Sequence, residues 1–385
     1  MRKYTSVFVQ MLQMIPRYDF QKSVKRHGSE RHSKGFTSWN HFVSLLFGQL
    51  SGQDGLRGVE AGMASQQKHL YHLGSRPVKR STLSYANAKR SHEVFKSVFE
   101  TMYAKVIAKA PGHKFRFKND LYSFDATTID LCLGLYDWAK FRKTKGGIKL
   151  HVKLNHAGYI PEFVTVTNAK RHESKELPKL KLKSGDVVVF DRAFTDFKQF
   201  ASYCDDGIYF VTRLKKNAHY RVLKRHDVSK HENISSDQII EMKGFYTNKK
   251  CPVHLRRIRV KDPETGKYIV LLTNQLAWSP ATIAAVYKDR WQIEIFFKTI
   301  KQNLKIKSFL GTSRNAILSQ IWVAMIAYLL LSYMKFVSMY KWTINGLMKI
   351  LPTLLFSRRC LWEWLNYPFG KPPDIPKPSI QLELI

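Results

Sequence analysis

The stretch YKDRWQIEIFFKTIK, Tyr287–Lys301, decides how the rest of the chain is read. Nothing in it breaks a helix, and at about 100° per residue Tyr287, Arg290, Glu294, Lys298 and Lys301 fall within about 80° of arc. Val286, Ile293, Phe296, Phe297, Ile300 and Leu304 occupy an adjoining arc of about 100°, wide enough to pack on a core. The spacing predicts one helix, anchored on its apolar side and presenting a carboxylate between cations on the other. Arg290 with Glu294, and Glu294 with Lys298, are also the i,i+4 pairs that decorate solvated helices, so spacing alone leaves both readings open.

Upstream, Ser279-Pro280 gives this region a helix start, with Pro at the first helical position. Before it, GIYFVTRL, VHLRRIRV and YIVLLTNQ read as strands joined by basic loops, a β-rich insertion over residues 207–280. The insertion follows VVVFDRAF, in which Val187 to Phe190 form the continuous apolar run of a fully buried strand that ends at Asp191. A carboxylate at the C-terminal edge of a central strand is where α/β sheets place chemistry, although an Asp there also suits a helix cap. Further back, LYSFDATTIDL reads as a strand with Asp125 in its middle, where a carboxylate is costly unless exposed, paired or holding a cation. GIKLHVKLNH and YIPEFVTVTN, separated by Ala157-Gly158, read as a hairpin, and Ser174 is placed to cap a short helix over 175–180.

Residues 1 to about 110 read as helical: Thr37 or Ser38 is a cap for a helix to Leu50, Asp54 for one through Met63, and Ser81 for the long run that follows. Lys79, Arg80, Asn87, Lys89 and Arg90 near the start of that run suit either a DNA-laid module or the solvated face of a helical support domain. The polar, Lys-rich PGHKFRFKND, residues 111–120, marks a boundary, and Pro368 to Pro378 read as an irregular tail. The chain divides on this reading into a helical N-terminal DNA-binding region (1–110), a core (118–206), the insertion, the completed core (281–340) and a tail (341–385).

Sixty-four Lys plus Arg against 29 Asp plus Glu give 385 residues a net charge of +35, spread along the whole length. So basic a surface implies a polyanionic partner, because neutralised phosphates release condensed counterions. Four scattered Cys lack the spacing of a metal cluster and fit a reducing compartment. No signal peptide is read at the N-terminus, and the apolar run over 316–336, interrupted by Ser319, Gln320, Ser332 and Lys335, reads as a core helix rather than a membrane span.

Three acids stand out: Asp125, Asp191 and Glu294. Strand, strand, strand, helix, strand, helix, insertion, helix is the order of a ribonuclease H-like domain, an α/β core that here follows an all-α region. Carboxylates gathered at one place repel one another, and divalent cations are the usual remedy. Two Mg²⁺ or Mn²⁺ ions about 3.5–4 Å apart can activate a water or hydroxyl and stabilise the leaving oxygen in an in-line phosphoryl transfer. Oxygen donors suit Mg²⁺ better than Zn²⁺.

The set Tyr287, Arg290, Glu294 and Lys301 resembles, position for position, the Y-R-E-K signature of the bacterial DDE insertion-sequence transposases grouped as the IS-four family. SFDATTID around Asp125 and VVFDRAF around Asp191 are similar to that family's two acidic motifs, and IPRYDF with GFTSWNHFVSLLFGQLSG resembles the helical region preceding the core in one subgroup. The resemblance implies cut-and-paste transposition, with Asp125, Asp191 and Glu294 as catalytic metal ligands. It gives Tyr287, Arg290 and Lys301 the phosphates of the element end, with Lys298 on the same face. A hairpin intermediate, as some members form, needs a base stacked on an aromatic ring, for which Trp291 and Trp278 are candidates. Arg192 and His172 are weaker candidates for the site, and Asp130, five residues after Asp125, points to the other strand face. The partners implied are double-stranded DNA, as terminal inverted repeats and target, and a second copy of the chain in a homodimer on DNA; the compartment implied is the bacterial cytoplasm, at the nucleoid. A silent relative that only binds DNA, or a nuclease without strand transfer, are the alternatives.

Overall fold

The computed structural model describes residues 5–370, apart from 32, 133, 143–144, 170–172, 230–231, 244–250, 252, 305 and 307–308. His172 and most of the Pro-rich tail therefore lie outside the described residues. The strands are β1 (Leu121–Leu131), β2 (Lys140–Arg142), β3 (Lys145–Asn155), β4 (Ile160–Asn168), β5 (Val187–Phe190), β6 (Tyr209–Arg213), β7 (Tyr220–His226), β8 (Ile234–Met242), β9 (His254–Lys261) and β10 (Tyr268–Thr273). They form one sheet. β3 runs antiparallel to β1 and to β4, while β1, β5 and β6 run parallel. The order β4-β3-β1-β5-β6, with only β3 reversed, is that of a ribonuclease H-like core.

Tyr209–Arg213, read from sequence as the first strand of the insertion, is instead the fifth core strand: it pairs parallel with β5. Its centre, Phe210 to Thr212, is buried as a strand covered on both faces must be. Beyond it β10, β9, β8 and β7 continue the same sheet as an antiparallel meander, so the inserted stretch widens the sheet.

Helices α1 (Val7–Gln13), α2 (Arg17–Arg26), α3 (Ser38–Leu50), α4 (Leu56–Ser65), α5 (Gln67–Leu70), α6 (Arg80–Lys89) and α7 (Glu93–Ile107) precede the sheet. Thr37 caps α3 in a reciprocal box with Asn40. Asp54 and Ser81 are not the caps: α4 starts after Gly55 and α6 after Lys79, where Glu60 accepts from the Arg80 N–H at 3.1 Å. The long run after Ser81 is divided at Arg90, whose backbone is extended. Asn315 explains the break, since its amide donates to the carbonyls of Asn87 and Arg90 at 2.8 and 2.5 Å and its oxygen accepts from the His92 N–H. Asn87 is buried against His41 at 2.6 Å, and the Arg90 guanidinium reaches Ser33 and the Phe36 carbonyl. Neither is free to meet DNA, while Lys79, Arg80 and Lys89 are exposed.

Later helices are α8 (Phe197–Asp205), α9 (Pro280–Asp289), α10 (Trp291–Gln302), α11 (Arg314–Val337), α12 (Ile344–Leu354) and α13 (Leu361–Asn366). α11 is long and apolar enough to cross a bilayer, but 89% of its most apolar window is buried inside the protein. It is the axle on which α3, α6 and α7 pack, and their apolar cluster is continuous with β3 and β4. The two faces of the central strands obey the period of two. Phe124, Val188, Phe190 and Phe210 pack with Phe200 and Tyr203 of α8 on one face, and Leu121, Val187, Val189 and Val211 meet Ile283, Val286 and Tyr287 of α9 on the other.

The stretch Tyr287–Lys301 forms two consecutive helices rather than one. At the junction Arg290 stays in the right-handed region, but its N–H donates to the Tyr287 carbonyl at 3.2 Å and its carbonyl accepts from Ile293 at 3.0 Å. Bonds spanning three residues tighten the turn and re-aim α10 relative to α9.

Candidate active site

The register of β1 and β5 brings the two aspartates together. Phe124 and Phe190 are partners in the parallel pairing, and the next residue on each strand is the acid. Adjacent strands lie about 4.8 Å apart and register partners share a face, so Asp125 and Asp191 stand side by side. That face is the one α9 covers, which sets Tyr287 and Arg290 over the acids.

Arg290 is the hub. Its Nη1 lies 3.2 Å from Asp125 Oδ2 and its Nη2 2.9 Å from Glu294 Oε1. The Tyr287 hydroxyl donates to Asp191 Oδ1 at 3.5 Å. All three predicted acids therefore converge on the adjacent pair Tyr287 and Arg290. The Arg290 side chain is 13% exposed, against 19% for Asp125 and 33% for Glu294, so the ion pairs are partly desolvated. Burial opposes the charge on Arg290, but Tyr287, Asp125 and Glu294 outweigh it and hold its pKa above the ordinary value. Burial pushes the Tyr287 hydroxyl up to about 12 and keeps it a donor at neutral pH.

Lys301 closes the far end of α10 on the same strand: its Nζ donates to Thr127 Oγ1 at 2.5 Å and to the Thr128 carbonyl at 2.9 Å. Lys298 and Arg192 are exposed, and Trp291 is 59% exposed beside Arg290. Trp278 stacks on Phe117 at 4.0 Å, two residues before the start of α9. Asp130 is exposed on the opposite face of β1.

The donor set fits a hard divalent cation, since three carboxylates face one small region that already holds a positive charge. Among the described residues no three His, Cys, Asp or Glu are close enough to ligate one ion as the side chains stand. The Arg290 guanidinium takes the position between Asp125 and Glu294, and its Nε is buried without a hydrogen-bond partner among the described residues. The fit therefore requires Arg290 to release the acids.

Sequence reading missed a buried set directly beneath the site. Ser123, two residues before Asp125, hydrogen-bonds His156 at 2.7 Å, and His156 bonds Asp289 at 2.8 Å. The available signal was slight: an acid immediately before Arg290 and a polar residue inside an apolar half-strand.

The fold and the site define a ribonuclease H-like core with three carboxylates gathered over its central strands. The sequence profile of the transposase DDE domain matches residues 116–330, and that of a domain of unknown function matches residues 3–76. A protein of Sinorhizobium fredii named as a transposase is 32% identical over 272 residues, 69% of this chain and 73% of its own length. A Geobacillus stearothermophilus protein named as a transposase for an insertion sequence element is 28% identical, covering 64% of this chain and 66% of its own. Among solved structures, a cryo-EM piggyBac transposase synaptic complex with hairpin DNA aligns over 96% of this chain and 84% of that one, at 11% identity and a TM-score of 0.39. The chain belongs to the transposase DDE domain family. It is a DNA transposase of the insertion-sequence type, an enzyme of a family that acts on DNA with divalent metal ions.

Proposed function

We propose that the chain cuts DNA at the inverted-repeat ends of its insertion sequence and joins the freed ends to a target, a cut-and-paste transposition. The observation that carries this reading is the convergence of Asp125, Asp191 and Glu294 on Tyr287 and Arg290. Asp125, Asp191 and Glu294 would hold two Mg²⁺ ions, with Mn²⁺ able to substitute. When bound, such ions supply a nucleophilic oxygen at neutral pH and stabilise the leaving oxygen.

The remaining roles belong to the chain's own side chains. Arg290, released from Asp125 and Glu294, grips a phosphate of the element end with the two-pronged geometry that a guanidinium offers. Tyr287, protonated at neutral pH, donates to Asp191 or to a phosphate oxygen. Lys301 pins α10 to β1 through Thr127 and adds positive charge, and Lys298 and Trp291 face the DNA from the exposed side of α10. Two copies would pair on DNA to bring two ends together, in the cytoplasm at the nucleoid.

The test uses labelled linear DNA carrying the sequences that flank the gene, purified protein, and Mg²⁺ or Mn²⁺. Cleavage at discrete ends followed by joining to target DNA, absent in Asp125→Ala, is expected. Specific binding without cleavage in either metal would replace this reading with that of a DNA-binding relative, and cleavage without joining with that of a nuclease.

A further inference from the structure

We infer that Ser123, His156 and Asp289 form a buried positioning relay that fixes the junction of α9 and α10, from which Arg290 and Glu294 project, in register with Asp125. The inference rests on the catalytic reading of those three residues. Ser123 Oγ lies 2.7 Å from His156 Nε2, and His156 Nδ1 lies 2.8 Å from Asp289 Oδ2. Tyr159 donates to the same carboxylate oxygen at 3.1 Å, and Lys114 Nζ meets the other at 2.5 Å. The His156 backbone N–H donates to the Leu121 carbonyl at 2.9 Å.

The hydrogen bonds define one consistent arrangement. An ionised Asp289 accepts from Nδ1–H, so Nε2 carries no proton and accepts from the Ser123 hydroxyl. Burial favours the neutral imidazole, and His156 and Lys114 together outweigh the burial of Asp289 and favour its charge. Serine, histidine and aspartate stand here in the order of a nucleophilic triad. Ser123 is 0% exposed and His156 1%, so no substrate reaches the hydroxyl and a hydrolytic role is excluded.

The position of the relay gives its purpose. Ser123 is on the same face of β1 as Asp125, two residues away, and Asp289 is the last residue of α9, next to Arg290 where the helix turns. Apolar packing alone would let α9 slide or rotate on the sheet at small expense. A buried carboxylate with three partners permits one register only, because any slip strands a charge away from water. The relay thus ties the strand bearing the first acid to the junction that aims Arg290 and Glu294. Lys114 extends the tie to the segment that enters β1.

The experiment compares Ser123→Ala, Ser123→Thr and Asp289→Asn in the full chain, with Ile240→Val in β8 as a mildly destabilised control and Asp125→Asn as the inactive reference. Single-end cleavage is measured for kcat and KM, and melting is followed in parallel. Removing residues that orient metal ligands typically costs about 10–100-fold in activity. Ser123→Ala and Asp289→Asn should lose about that much in kcat with KM for DNA within about twofold, and Ser123→Thr, which keeps the hydroxyl, should recover most of the loss. If Ser123→Ala melts lower but keeps the kcat of Ile240→Val, the residues are structural only and the inference falls. Should Asp289→Asn fail to fold, Ser123→Ala and Ser123→Thr decide. Asp125→Asn that still cleaves would instead remove the catalytic reading itself.

Discussion

Replacing Arg290 with Ala should make the site bind divalent metal more tightly while making the enzyme slower. The guanidinium is the cation between Asp125 and Glu294, so metal must displace it. Breaking a fully buried ion pair by removing one partner costs about 3–5 kcal/mol, and an exposed pair is worth about 0–1 kcal/mol. Both pairs are partly exposed, with side chains between 13% and 33%, which places the loss at about 1–2 kcal/mol. Asp125 and Glu294 are then left with uncompensated charge that a divalent ion can satisfy. Recovering about 1.4 kcal/mol on binding corresponds to about tenfold tighter association. Calorimetric titration with Mn²⁺ reads this directly, and a melting curve at saturating Mn²⁺ should rise more in Arg290→Ala than in the wild type. Cleavage should nevertheless fall, because the phosphate grip is gone. Unchanged or weaker Mn²⁺ binding in Arg290→Ala would refute the idea that the guanidinium and the metal compete for the same carboxylates.

Glu294→Gln should lower strand cleavage by at least about 10³-fold, given that metal-site electrostatics dominate such barriers, with DNA binding retained; comparable cleavage would remove Glu294 from the metal set. Binding to any DNA should weaken steeply with salt given the charge of +35, and a flat dependence would contradict the role of that charge. His41, buried against Asn87, titrates near 4 in the folded chain, pushed down from 6.5 by burial. The unfolded chain therefore takes the proton first, so this stability is present above about pH 6.5 and falls by about 1.4 kcal/mol per pH unit toward pH 4, about 3 kcal/mol in all. Urea midpoints at pH 7 and 4.5 check it, and a drop equal in His41→Gln would assign the effect elsewhere. Phe190→Ala, deleting a ring at 0% exposure, should cost about 3–5 kcal/mol and lower the melting temperature; a shift below a degree would mean the register of β5 does not rest on it.

Much of the architecture was legible because period and burial coincide. VVVF before Asp191 could only be a strand covered on both faces, and the pairing of Phe124 with Phe190 puts the acid after it beside Asp125. Glu294 was singled out by the likeness of Tyr287, Arg290, Glu294 and Lys301 to a family signature, since spacing alone left a solvated helix equally open. What stayed hidden were interactions between distant parts of the chain. Asn315 breaks the helical run at Arg90, and Asn87, apparently a surface polar residue, is consumed by His41. Helical periodicity cannot reveal the tightened turn at Arg290, where the preceding Asp289 is held by His156 and Lys114 from distant parts of the chain. GIYFVTRL joined the insertion on sequence because strand patterns carry no information about which neighbour they pair with.

The central claim is that Asp125 and Asp191 bind the ions that drive cleavage. The direct test is the metal preference of Asp125→Cys and Asp191→Cys, since a thiolate is a poor ligand for Mg²⁺ and a better one for softer Mn²⁺. Each variant should be inactive with Mg²⁺ and regain part of its cleavage with Mn²⁺, whereas wild-type cleavage with Mg²⁺ in either variant would contradict the account.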